Sequence, residues 1–136
     1  MNATARPAYE WKGLPWRAIE RQVFKLQTRI YRASQHGNVK TMHRLQRLLV
    51  KSWSAKCLAV RRVTQDNQGK KTAGIDGVKA LTPPQRCQLV QELSLRTRAQ
   101  PVRRVWIPKP HAPAERRPLG IPVMHDRATQ ALVTLV

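Results

Sequence analysis

The sequence predicts a mainly α-helical protein built on a basic helical hairpin, with one small two-stranded β-hairpin, and three observations carry that prediction. Apolar residues recur every three or four positions from Trp16 to Ala33 and again from Val39 to Val60, the spacing that lines one face of a helix at about 100° per residue. Gly37 and Asn38 separate the two runs; glycine suits the end of one helix and asparagine the start of the next. From Val102 to Ile107 the pattern becomes β-branched and alternating, and a second apolar run, Leu119 to Pro122, follows a proline-rich interval.

Residues 1–15 contain Pro7, Gly13 and Pro15 without periodicity and read as a loose N-terminal arm. Tyr9, Trp11 and Trp16 there are open to two readings, base-stacking aromatics or aromatics tucked against the core. Residues 16–63 form the basic helical domain. Its first helix starts near Pro15 or Trp16, where proline suits a first turn, and turns Trp16, Ile19, Val23, Leu26, Ile30 and Ala33 inward. The second runs from Asn38 to about Arg62 and buries Val39, Met42, Leu45, Leu49, Trp53, Cys57 and Val60, so that the two pack as a helical hairpin.

Residues 64–81 are rich in Gly, Asn and Asp and read as a loop. Asp76 stands in a Gly-Ile-Asp-Gly setting that suits a turn, and no second carboxylate is near enough in sequence for a two-metal site. Residues 82–136 begin with a helix capped by Thr82, with Pro83 and Pro84 in its first turn and Leu89, Val90 and Leu93 inward, ending near Leu95. The β-hairpin follows, with HAPAE as its turn, Glu115 close to the cations, and Gly120 placed for a close backbone approach. A last helix starts at His125, with Asp126 near its N-terminus; Ala131, Leu132, Val133, Leu135 and Val136 are expected to be exposed on it and to need a partner.

Charge sets the class of partner. Among 136 residues, Lys and Arg number 26 against 7 Asp and Glu, a net charge of +19, which favours a polyanion and, among polyanions, nucleic acid over a membrane surface. Arg17, Arg21, Lys25, Arg29 and Arg32 share the outer side of the first helix, and Lys40, Arg44, Arg47 and Lys51 that of the second, with Glu20 the only acid in either. A solvated helix face ordinarily mixes signs; this one does not. If about six of these cations met phosphates, log affinity would fall with log salt at a slope of about −4 to −5. Such contacts position a nucleic acid without reading its sequence.

In the β-hairpin, Lys109 ends the first strand and Arg116 and Arg117 begin the second, an arrangement that suits a polyphosphate and is equally that of an ordinary basic turn. No apolar run reaches the roughly 18 residues of a membrane span, and MNATARPAYEWKG lacks a signal-peptide core, so a cytoplasmic protein with no membrane partner is expected. Cys57 and Cys87 form no CxxC and fit no zinc spacing with His36 or His43; free thiols and no metal site are expected.

RRVTQDNQGKKTAGIDGVK at 61–79, RRVWIPKP at 103–110, RRPLGIP at 116–122 and HDRATQALV at 125–133 occur in one order. From about Trp16 to the last residue the chain resembles the start of a group II intron reverse transcriptase and maturase. The resemblance implies an N-terminal domain followed by an α+β fragment of the fingers, truncated before the palm, with the 64–81 loop near the template strand. It also implies that Lys109 and Arg117 hold the triphosphate of an incoming nucleotide. The implied partners are group II intron RNA and template RNA, with a downstream palm fragment or a second copy covering the apolar end.

The complete enzymes use Mg²⁺ held by palm aspartates and a Tyr-Ala-Asp-Asp box. This chain has only Asp66, Asp76 and Asp126 and no such box, so no catalytic residue and no cofactor are assigned to it, and alone it is expected not to copy RNA. Two alternatives belong to other classes: a stand-alone basic RNA-binding module, and a non-functional remnant of a mobile element.

Overall fold

The computed structural model describes residues 10–136, in which five α-helices surround one core and a two-stranded antiparallel sheet projects from it. Helix α1 (Trp16–Gln35) buries Ile19, Val23, Ile30 and Ala33, four of the six residues on its predicted inner face; Trp16 and Leu26 are half-buried against the core. It ends at a left-handed turn on Gly37, after which the Asn38 side chain accepts the Thr41 N–H and opens α2 (Val39–Lys51).

The second predicted helix is two helices. The Ser52 hydroxyl donates to the Leu49 carbonyl at 2.9 Å and accepts the Ala55 N–H at 3.1 Å, closing α2 and opening α3 (Trp53–Arg61) within one residue. Leu45, Leu49, Cys57 and Val60 are buried as the spacing predicted, whereas Val39, in the first turn, and Trp53, at the break, are exposed. A π-helical turn, Arg62–Asp66, then extends α3, with the Thr64 hydroxyl donating to the Val60 carbonyl.

The N-terminal arm differs from expectation where it can be seen. Residues 1–9, Tyr9 included, lie outside the described residues. Trp11, in a short 3-10 turn, is buried. Its ring meets Trp16 edge-on at 4.9 Å and its indole N–H donates to Gln65 at 2.8 Å. Of the two readings of Trp11, the core one holds.

The 64–81 segment is a loop tied down at several points. Asp76 accepts the N–H of Val78 at 3.0 Å, the turn its neighbours predicted. A Cβ on Gly74 would lie 2.7 Å from the Val123 backbone, so only glycine lets the loop pass the start of the last helix there. Helix α4 (Pro83–Glu92) begins as predicted, Gln85 accepting the Thr82 N–H at 2.8 Å, and buries Leu89 and Val90 with Leu93 just beyond.

The sheet is longer than the sequence suggested. Strand β1 (Arg103–Lys109) pairs with β2 (Ala112–Ile121) from Arg103↔Ile121 to Pro108↔Arg116, with a bulge before Lys109↔Ala112. HAPAE is therefore not the turn: Pro110 and His111 are, and Pro113 and Pro118 lie within β2. A two-stranded sheet tolerates them because each strand has an edge on which no N–H is needed. Gly120 lies against Val102, whose Cγ2 would be 3.1 Å from a Cβ at that position.

Helix α5 (Met124–Thr134) overturns the expectation of an exposed apolar end. Met124, Ala128, Ala131 and Leu132 are buried in the common core, where α5 packs on α3, and Leu135 is half-buried; only Val133 and Val136 remain exposed. Gln27 of α1 closes the seam, donating to the Leu135 carbonyl at 2.9 Å.

Candidate nucleic-acid interface

The packing of α1 on α2 decides where the cations stand. Burying Ile19, Val23 and Ile30 against Leu45 and Leu49 leaves the opposite sides of both helices in solvent. All nine predicted helix cations, Arg17, Arg21, Lys25, Arg29, Arg32, Lys40, Arg44, Arg47 and Lys51, are exposed. Among the described residues none has a carboxylate within ion-pair distance. Glu20, the acid in α1, faces the other way: it binds Arg61 of α3 at 2.9 Å, while Arg61 also lies 4.7 Å over the Trp16 ring and 3.5 Å from Asp66.

The structure brings four of the nine together. Arg29 of α1 and Arg44, Arg47 and Lys51 of α2 line one open depression of about 460 Å³, with Leu45 and Leu48 as its apolar part. The contributors on α2 follow at three and four residues, so they rise along one side of that helix. Arg29 joins them from α1. Arg17, Arg21, Lys25, Arg32 and Lys40 extend the positive surface without lining the depression. Four like charges around one hollow, with no acid among its lining residues, repel one another, and a polyanion relieves that repulsion.

The second candidate site lies on the hairpin. The register places Arg117 opposite Ile107, and strand alternation puts Lys109 on that same face. Lys109 is not bare: its ammonium meets the Glu115 carboxylate at 2.9 Å, with both groups largely exposed. Such a surface pair contributes about 0–1 kcal/mol, so an incoming phosphate can displace Glu115. Arg103 leads the same face and ties the hairpin to the loop by donating to the Ala73 carbonyl at 2.9 Å.

The three aspartates have separate places. Asp66 pairs with Arg61, Asp76 holds its turn, and Asp126, at the start of α5, accepts the Gln100 N–H at 2.8 Å. Among the described residues no cluster of three His, Cys, Asp or Glu side chains is placed to hold a metal, and no helix is long and apolar enough to cross a membrane. Cys57 is buried; burial first, and Cys87 second, push its thiol up to about 12.

One residue of structural weight was absent from the sequence-based candidates. Arg127 of α5 donates to the carbonyls of Pro122, Gly69 and Thr72 at 3.0, 3.0 and 2.6 Å, fastening the loop to the helix that carries the C-terminal part of the core. Its guanidinium is held below its ordinary range by burial, partly offset by Asp76. It was visible in the sequence only as part of HDRATQALV, where nothing separates a clamp from a solvated arginine.

Residues 11–93 match the family model described as the N-terminal domain of reverse transcriptase. The match includes all nine helix cations and ends before the hairpin. Maturase-like protein 1 of Euglena gracilis is 36% identical over 78 residues, covering 57% of this chain and 17% of that protein. Protein YkfC of Escherichia coli (strain K12) is 37% identical over 94 residues, covering 64% of this chain and 24% of that protein. The chain thus spans about a quarter or less of the curated relatives it matches. With the family match extending over more than half of its residues, the chain belongs to the reverse transcriptase N-terminal domain family.

Proposed function

We propose that this chain binds RNA through the α1–α2 cations, as the RNA-holding front part of a reverse transcriptase/maturase that assists intron splicing and copies intron RNA. The observation that carries the reading is the depression lined by Arg29, Arg44, Arg47 and Lys51, to which no acid contributes. Its cations project from two helices locked by one core, so no backbone ordering is needed to bring them together when RNA arrives. The neighbouring cations on α1 extend the track along the rod, which suits a backbone longer than a single phosphate.

On this reading Lys109 and Arg117 hold the phosphates of an incoming nucleotide only when a palm with its Mg²⁺ stands opposite the hairpin. A guanidinium and an ammonium there stabilise charge on the departing pyrophosphate, and the metal ions supply the remainder. A downstream palm region is the partner this requires. The purified chain, with its three aspartates separately engaged, incorporates no nucleotide on any primer and template.

A second reading, a basic RNA-binding module without a part in polymerisation, draws support from α5, whose apolar side is closed into the same core as α1–α3. Binding to a folded group II intron RNA, measured beside another structured RNA of equal length, separates the two. Tighter binding to the intron is expected. Equal binding favours the general module, and no binding to either rejects both.

A further inference from the structure

The two faces of the β-hairpin are chemically different, and only one of them has been given a role. Direct cross-strand partners share a face. Arg103, Val105, Ile107 and Lys109 therefore lie with Ile121, Leu119 and Arg117 on the face already described, where Val105, Ile107 and Ile121 are half-buried. The reverse face carries Arg104, Trp106 and Pro108 from β1, opposite Gly120, Pro118 and Arg116.

Trp106 is 55% exposed, an unusual position for the largest apolar side chain. Arg104 stands two residues before it on the same strand, and Arg116 sits diagonally across on β2. Gly120, opposite Arg104, adds no side chain to cover the ring. Among the described residues Trp106, Arg104 and Arg116 make no side-chain hydrogen bond or ion pair, and the hairpin's one acid, Glu115, is engaged by Lys109. A flat π-surface thus stands open between two cations, with no carboxylate on its side.

Resting on the reading that this protein binds RNA, we infer that the reverse face of the hairpin is a stacking platform for single-stranded RNA. One unpaired base lies on the Trp106 indole, and the phosphates to either side of that nucleotide meet Arg104 and Arg116. The occupant is single-stranded because in a duplex the base faces are already stacked and unavailable, whereas an unstacked base offers its π-face whatever its identity. Charge complementarity selects nucleic acid over an apolar peptide, for which two unscreened guanidinium groups beside the ring are a penalty. The platform is distinct from the α1–α2 depression, which meets only backbone charge and accepts paired and unpaired RNA alike.

The test measures affinity for an unstructured single-stranded RNA 12-mer and for a blunt RNA duplex of equal length, using wild type, Trp106→Ala, Trp106→Phe and the triple variant R44Q/R47Q/K51Q. Trp106→Ala is expected to weaken single-strand binding about 5- to 100-fold, with the salt slope unchanged and duplex binding altered less than twofold. Trp106→Phe, which keeps a ring, restores most of the affinity. Binding of the 12-mer also quenches tryptophan emission in wild type, and that quench is lost in Trp106→Phe although the RNA is still bound. Equal loss on both RNAs, no loss on the single strand, or a quench that survives in Trp106→Phe overturns the platform. The triple variant isolates the cause: if it loses both RNAs while Trp106→Ala loses neither, the helix reading stands and the platform falls. If wild type binds neither RNA, both fall.

Discussion

The helical body and the β-hairpin both present cations to solvent, but they hold them by different means. In the body, the cations of α1 and α2 project from helices whose other sides contain fully buried residues such as Leu49 and Ile19. In the hairpin no residue from Arg103 to Ile121 is buried; its shape rests on the ladder between β1 and β2 and on the Arg103 bond to Ala73. Packing fixes the backbone positions from which those side chains project. An exposed ladder lets them shift with the strands. On the proposed reading, the body offers its cations from a packed framework, whereas the hairpin offers them from an exposed ladder.

Breaking the body has the largest expected effect. Leu49→Ala removes a fully buried side chain at the α1–α2 seam and is expected to destabilise the protein by about 2–5 kcal/mol, read as a lower denaturant midpoint. The matching hairpin change, Val105→Ala at a half-buried position, is expected to cost under about 1 kcal/mol. Equal losses would contradict the distinction.

Next comes the clamp that fastens the loop to α5. Arg127→Met keeps the aliphatic stem and removes the three donations to Pro122, Gly69 and Thr72. A loss of about 2 kcal/mol is expected, with faster amide exchange over residues 69–74 and little change in α1.

Cys57 reports on the body alone. Its thiol is pushed up to about 12 from an ordinary 9.0, so its contribution to stability is fully present below pH 9 and is lost as pH rises from there toward 12. At pH 8 Cys57 is expected to resist iodoacetamide in the native protein and to react after unfolding in guanidinium. The smallest effect belongs to the hairpin: Glu115→Gln frees Lys109 and is expected to change stability by less than about 1 kcal/mol.

The same contrast marks what the sequence could tell. The inward residues of α1 and α4, their caps, and the side of each helix that carries charge followed from spacing, because helix period and burial are local consequences of one pattern. The break at Ser52 did not. Leu49, Trp53 and Cys57 continue at steps of four across it, so the apolar stripe is silent while a single hydroxyl redirects the backbone. The burial of Ala131 and Leu132 depends on α3, some seventy residues away in the chain. The start of β2 was hidden by Pro113 and Pro118, which ordinarily signal a turn. At the site, each cation was legible as exposed, but which four converge depended on the crossing of α1 and α2.

The most direct measurement is the salt dependence of RNA binding by wild type and by R44Q/R47Q/K51Q. A log-log slope of about −4 to −5 is expected for wild type, shallower by about 2 in the variant because three phosphate contacts are lost, with folding unchanged. A variant slope equal to that of wild type, or an affinity insensitive to salt, would contradict the claim that the α1–α2 cations form the RNA-binding surface.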